Sequence, residues 1–85
     1  MQHPDSQLIT QRFSLALDTL IASGTLRGRK TFCDRYAINR RNLYAIERNP
    51  DRYALPTCLL SYLVQDYAIS PLWLLTGKGK MLRKT

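Results

Sequence analysis

The sequence has few of the residues that build catalytic and metal centres. It contains one histidine, His3, and two cysteines, Cys33 and Cys58, which are far apart in the chain and form no CxxC pair. Zinc and iron–sulfur sites need several closely spaced Cys or His ligands, so we expect no metal and no other cofactor. A paired acid and base, a His-supported nucleophile and a glycine-rich phosphate loop are also missing, which argues against an enzyme.

Long apolar segments are missing as well. The longest apolar run covers residues 72–75, whereas a membrane-spanning helix needs about 20 apolar residues. No cationic start followed by an apolar stretch indicates export, so we expect a cytoplasmic protein with no membrane partner. A hydrophobic content of 45% is typical of a folded domain. The length predicts a single domain over 1–85, with a flexible start at 1–4 and a basic tail at 80–85.

Acidic residues are scarce, and this scarcity is the first positive indication of function. Thirteen Lys and Arg residues stand against six Asp and Glu residues, which gives a net charge of +7. Eight of the basic residues and only three of the acidic ones lie between residues 27 and 52. Clustered positive charge suits a polyphosphate surface better than a small acidic substrate, through counterion release and electrostatic steering. Solubility alone is the competing explanation.

The apolar pattern predicts helices, since no segment shows the sustained alternation of a strand. The first helix is expected to start at Asp5 or Ser6 and to end near Ser23. Helices 29–36, 40–48 and 56–67 follow, and a last one starts at Ser70 and Pro71 and ends before Gly77.

The first helix carries two apolar faces. The face predicted to point into the core consists of Ile9, Phe13, Ala16, Leu17 and Leu20. Leu8, Leu15 and Ala22 form a second strip, which we expect the C-terminal segment to cover. Contact with another chain is the alternative for this strip.

The two short helices 29–36 and 40–48 lie inside the basic segment and are joined by about three residues, which is typical of a helix-turn-helix. Each begins with two cations at the positive end of its helix dipole, where each cation costs about 0.3–1 kcal/mol. A bound anion would offset this conflict, and the DNA backbone is the natural candidate. The two pairs are Arg29 with Lys30, and Arg40 with Arg41.

Helix 40–48 is predicted to read DNA with one face and to anchor itself in the core through Leu43 and Ile46. Arginine near the start of a recognition helix can bind guanine bidentately, and tyrosine can touch a thymine methyl group or a phosphate. The predicted base-reading residues are Arg40, Arg41, Asn42 and Tyr44. The predicted phosphate-binding residues are Arg29, Lys30, Arg48 and Arg52.

Over about residues 28–81 the chain resembles the phage-repressor-like (Cro/CI-type, XRE family) helix-turn-helix domains. The turn Ala37-Ile38-Asn39 matches the Gly-Val-Ser that is common there, and Ile46-Glu47-Arg48 matches the frequent Ile-Glu-Arg. The segment ISPLWLLTGKG, residues 69–79, is similar to the segment that closes these domains. The resemblance implies an all-α, compact five-helix lambda-repressor-like domain that binds double-stranded DNA as a homodimer.

Three residues carry further expectations. Ala37 stands where the family usually has glycine, and a positive φ there would cost about 1–2 kcal/mol, so Ala37→Gly is expected to raise stability. Cys33 is expected to be a buried packing thiol, with a redox sensor as the alternative. Glu47, the only glutamate, is expected to pair with Arg35.

The sequence thus predicts a sequence-specific DNA-binding transcriptional regulator, a repressor that occupies a promoter with helix 40–48 in the major groove. Only eight residues follow Gly77, so no effector domain and no small-molecule ligand are expected. The alternative is a protein-interaction module, antitoxin-like or a phage accessory subunit, with weak or no specific DNA binding.

Overall fold

Five helices succeed one another in residues 2–83, the part of the chain that the computed structural model describes, and this part is all-α. Among these residues, no helix combines the length and the apolar character needed to cross a membrane. The helices are α1 (Pro4–Ala22), α2 (Arg29–Tyr36), α3 (Arg40–Arg48), α4 (Thr57–Tyr67) and α5 (Pro71–Thr76).

The helix starts differ from the sequence prediction at α1 and α4. α1 begins at Pro4, because the Nδ1 atom of His3 accepts a hydrogen bond from the Asp5 N–H at 3.0 Å. A proline at the first helical position has no N–H to satisfy, so the earlier start costs nothing. Pro56 is the residue before α4, which begins at Thr57.

The core forms where α1 meets the aromatic side chains of α2. Phe32 lies edge-on to Phe13, with ring centroids 6.0 Å apart, and edge-on to Tyr36 at 5.1 Å. The buried residues of α1 are Thr10, Phe13, Ala16, Leu17 and Leu20. Thr10 therefore takes the place predicted for Ile9, which is only half-buried. Its hydroxyl donates to the Ser6 carbonyl at 3.2 Å, so the helix backbone satisfies this buried polar group.

The residues after α5 return to the end of α4. The Ser70 N–H donates to the Met81 carbonyl at 2.7 Å, and the Arg83 N–H donates to the Ala68 carbonyl at 2.8 Å. This return does not cover the second apolar strip of α1, since Leu8 and Leu15 are 47% and 51% exposed. The expectation that the C-terminal segment packs over the strip was wrong, because that segment pairs with the α4–α5 turn instead.

Candidate nucleic-acid interface

A three-residue turn joins α2 to α3. Ala37 ends α2 in the left-handed conformation, with φ 55° and ψ 44°, and the N–H of Ile38 donates to the Cys33 carbonyl at 2.8 Å. The Oδ1 atom of Asn39 accepts the Asn42 N–H at 3.1 Å, which caps α3 so that it begins at Arg40. The cap at Asn39 is as the sequence predicted, and the positive φ at Ala37 is the condition under which the sequence predicted strain at this residue.

The two faces of α3 differ in exposure. Leu43 is 2% exposed and anchors the helix in the core. Ile46, its predicted partner, is only half-buried and borders a groove between α3 and α4. Ile46 was predicted to be buried in the core, and this prediction was wrong, because its side chain is only half-buried. All four predicted base-reading residues are exposed, namely Arg40, Arg41, Asn42 and Tyr44.

A cleft of about 860 Å³ lies between α1, α2 and α3. Five basic and two acidic side chains line it, so the cleft favours an anion. Of the eight predicted site residues, Asn42 borders the other groove, and Arg52 lies in the loop after α3 and lines neither of these two cavities. The cleft brings together the other six, namely Arg29, Lys30, Arg40, Arg41, Tyr44 and Arg48.

Arg29 is held inside this cleft by carboxylates of the chain itself. Its Nε lies 2.9 Å from one Glu47 oxygen, and its Nη2 lies 2.7 Å from the other. Asp18 adds a third contact at 2.9 Å from Nη2. These bonds, above all those to Glu47, raise the pKa of Arg29 despite its partial burial. Arg29 is thus a brace between α2 and α3, with α1 as a third support.

The expected pair of Glu47 with Arg35 was wrong. Glu47 points toward the start of α2, where Arg29 is, whereas Arg35 lies near the end of that helix and faces α4. The Arg35 guanidinium lies 3.7 Å from the Asp66 carboxylate and 3.4 Å from the Tyr67 hydroxyl. Both arginines are on α2, and only the packing of the helices decides which one reaches Glu47.

The cations in the first turns of α2 and α3 differ in whether they have carboxylate partners. At the start of α2, Lys30 donates to Asp34 at 2.8 Å, so both cations there have carboxylate partners. Within residues 2–83, neither Arg40 nor Arg41 has a carboxylate oxygen within the 4.0 Å of an ion pair. The case for a bound anion at a helix start therefore rests on α3 alone.

Two arginines near α3 lie over tyrosine rings. The Arg48 guanidinium carbon is 5.4 Å from the centre of the Tyr44 ring, and that of Arg52 is 6.0 Å from the Tyr53 ring. Contacts of this kind contribute about 0.5–1 kcal/mol at exposed sites and limit where the guanidinium can go. The Tyr44 ring, 62% exposed, thus orients Arg48, and both side chains line the cleft.

Cys33 lies at the floor of the cleft and is 1% exposed. Burial raises the pKa of its thiol, which disfavours the reactive thiolate. The packing role predicted for Cys33 agrees with this burial.

Sequence reasoning missed two residues of α1 that contact the Arg29–Glu47 pair. The Ser14 hydroxyl donates to Glu47 at 2.7 Å, and Asp18, one turn further on, reaches Arg29. Their spacing was the available signal, since polar residues four positions apart form one stripe beside the apolar face of a helix.

No family model, no curated protein and no solved structure matches the chain.

Proposed function

We propose that the chain is a sequence-specific, double-stranded DNA-binding transcriptional regulator of the phage-repressor-like helix-turn-helix type, with a lambda-repressor-like arrangement of its helices. It represses by occupying a promoter. One observation carries this proposal: α3 presents Arg40 and Arg41 at its start, exposed and without a carboxylate partner in the described chain, beside a cationic cleft. A helix is also the element that the major groove of DNA, about 12 Å wide, accommodates.

In this proposal α3 lies in the major groove and its first turn reads bases. Arg40 and Arg41 donate to guanine O6 and N7, and the Tyr44 ring packs against a thymine methyl group. Asn42, on the flank of the helix, adds a hydrogen bond to a base edge. Arg48, oriented by Tyr44, binds the backbone.

Phosphate contacts on both sides of α3 would fix the register of the complex. Lys30 at the start of α2 and Arg52 beyond the end of α3 are exposed and provide them. Arg29 has a different main role, because Glu47 and Asp18 already occupy its guanidinium. It holds α3 at the angle that the groove requires, and any phosphate contact that it makes is secondary.

The test begins with selection of bound sequences from a random duplex pool, followed by affinity measurements on the enriched and on a scrambled duplex. Arg41→Ala should weaken binding to the enriched duplex by about 5- to 150-fold, the loss of one bidentate base contact, and leave the scrambled duplex nearly unaffected. Lys30→Ala should weaken both duplexes alike and lower the salt slope by about one.

Lys78→Ala is the matched control, because it removes an exposed charge outside the cleft. If the selection enriched no sequence at any salt concentration, that result would contradict the proposal. Equal losses on both duplexes for Arg41→Ala would remove the base-reading role of this residue.

A protein-interaction module remains the second candidate, favoured by the exposure of Leu8 and Leu15. Such a module would bind duplex DNA weakly or without sequence preference, even at low salt, where phosphate contacts are strongest. The same affinity measurements at low salt therefore separate the two candidates.

A further inference from the structure

Asp18 is an acidic side chain that the proposed DNA contact does not use. It lies on α1 and lines the same cleft as Lys30, Arg40 and Arg41, which are among the proposed DNA-binding cations. A carboxylate in this place repels an incoming phosphate, and the repulsion grows as the two charges approach each other. Asp18 therefore has to move when a phosphate enters the cleft, or it weakens the binding of that phosphate.

The two carboxylates that contact Arg29 are held differently. Glu47 accepts hydrogen bonds from Nε and Nη2 of Arg29 and from the Ser14 hydroxyl, and its side chain is only 11% exposed. The Asp18 side chain is 62% exposed, and within residues 2–83 Arg29 is its one ion-pair partner. The bond to Glu47 is also the largest cause of the raised pKa of Arg29. Glu47 is thus the fixed partner of Arg29, and Asp18 is the exchangeable one.

Exchange of Asp18 for a phosphate costs the protein little. An ion pair with an exposed carboxylate contributes little to stability, because water solvates the carboxylate when the pair separates. A phosphate oxygen accepts the same charge-assisted hydrogen bond from a guanidinium as a carboxylate oxygen does. Since Glu47 keeps its bonds to Arg29, the packing of α2 on α3 stays the same during the exchange.

We propose that in the free protein the Asp18 carboxylate occupies the place of a phosphate at Arg29, and that a bound phosphate displaces it while the Arg29–Glu47 pair stays intact. Asp18 then lowers the affinity of the cleft for any polyphosphate, whatever its sequence. This inference rests on the proposed function for DNA as the natural ligand, whereas the exchange itself is measurable with a simple polyphosphate.

Calorimetric titration of the full chain with inorganic tripolyphosphate tests the exchange without DNA. Asp18→Asn keeps the size of the side chain and removes its charge, so it should bind tripolyphosphate about 3- to 10-fold more tightly than wild type. The gain should shrink as salt is added, because salt screens both the Asp18–Arg29 pair and the repulsion of the phosphate. Asp18→Glu keeps the charge and should bind no more tightly than wild type.

Asp5→Asn is the matched control, because it makes the same change in net charge on the same helix but outside the cleft. Its affinity for tripolyphosphate should stay within about twofold of wild type, since its exposed charge is screened. If Asp18→Asn fails to fold, Asp18→Ser replaces it in the titration. Equal affinities of wild type and folded Asp18→Asn would overturn the proposal, as would an equal gain for Asp5→Asn or an absence of binding in all variants.

Carbon-13 NMR of the side-chain carboxyl groups shows which carboxylate the phosphate displaces. Saturation of wild type with tripolyphosphate should move the Asp18 signal and leave the Glu47 signal nearly unchanged, because only the Asp18 bond is exchanged. An Asp18 signal that stays in place in the saturated protein would contradict the exchange.

Affinity for the enriched and scrambled duplexes separates this proposal from the proposed function. Asp18→Asn should strengthen binding to both duplexes by a similar factor, whereas Arg41→Ala should weaken the enriched duplex alone. Tighter tripolyphosphate binding by Asp18→Asn, with no duplex bound by any variant, would support the exchange and contradict the proposed function. Sequence-specific binding by wild type, with no effect of Asp18→Asn on either kind of ligand, would do the reverse.

Discussion

The chain uses the same four-residue turn twice, at 36–39 and at 67–70. Each turn reads Tyr-Ala-Ile followed by a capping residue, and both alanines are left-handed, with φ 55° at Ala37 and 57° at Ala68. The side chain of Asn39 or Ser70 then accepts the N–H three residues further on and starts the next helix. Local backbone chemistry is thus the same in both places.

The surroundings of the two turns are different. The second turn is covered by the chain itself, since Ile69 is completely buried and forms a bridge with Leu82. At the first turn Ala37 and Asn39 are exposed. Correspondingly, side-chain charges hold α3, whereas backbone hydrogen bonds and the carbonyl contacts of Arg12 hold α5.

This difference shows that the turn sets only the start and the direction of the helix that follows it. The residues after the cap decide what the helix offers to a partner. After Asn39 come two exposed arginines, and after Ser70 come Pro71 and Leu72. Hence the first turn presents charge for the proposed DNA contact, and the second presents an exposed leucine, Leu72.

The largest predicted effect concerns the charges that hold α3. Glu47→Ala should lower the free energy of unfolding by about 2–3 kcal/mol, because it leaves the partly buried Arg29 without its main partner. That corresponds to a fall in Tm of about 10 °C or more in thermal unfolding. Arg12→Ala, the comparable change at α5, should cost less, about 1–2 kcal/mol, since water can reach the carbonyls that it releases.

Glu47→Gln is the control for shape, because it keeps the size of the side chain and one accepting oxygen, while it removes the charge and turns the other oxygen into an NH2 donor. The free energy of unfolding of Glu47→Gln should lie between those of wild type and Glu47→Ala. If Glu47→Ala were as stable as wild type, α3 would not be held by charge and the contrast between the turns would be lost.

Local signals predicted the helices around the turns. The bounds of α2 and α3 and the start of α5 agree with the sequence prediction because Asn39, Ser70 and Pro71 act within one turn of the chain. The same holds for the exposure of the base-reading residues, which follows from the helical period of α3.

Predictions that depended on how helices pack were the ones that failed. The partner of Glu47 depends on which end of α2 lies beside α3, and periodicity does not fix this. The exposure of Leu8 depends on where the C-terminal segment goes, and that segment finds hydrogen bonds at the second turn. The start of α1 was missed for a local reason, because histidine is an uncommon cap.

A medium effect tests whether the two turns are equivalent in the backbone. Ala37→Gly and Ala68→Gly should each raise stability by about 0.5–1 kcal/mol. Glycine avoids the strain of a positive φ but loses more entropy on folding, so the gain is less than the full strain. Denaturant unfolding should show similar gains at both positions, with no change in DNA affinity for Ala37→Gly. A lower stability of either variant would contradict the strain argument at that turn.

The smallest predicted effect concerns the tyrosine that links the two turns. The Tyr36 hydroxyl donates to the carboxylate of Asp66, the residue before the second turn, and its ring stacks on Tyr62 at 4.0 Å. Burial, and then the bond to Asp66, raise the pKa of Tyr36. Folded protein therefore keeps this proton at a pH where an unfolded tyrosine, with a pKa of about 10, loses it. The stabilising contribution is complete below about pH 10 and is lost as the pH rises further.

Tyr36→Phe should consequently be less stable than wild type by up to about 1 kcal/mol at neutral pH. The difference should shrink as the pH rises above about 10. In that range unfolding of wild type lets Tyr36 ionise, which lowers its free energy of unfolding, and Tyr36→Phe has no such group. Urea unfolding at a series of pH values from 7 to 11 measures this, with Tyr53→Phe as the control for an exposed tyrosine. A difference between Tyr36→Phe and wild type that stays constant over the series would show that the hydroxyl does not link the turns, and each turn would then have to be stabilised by its own helices alone.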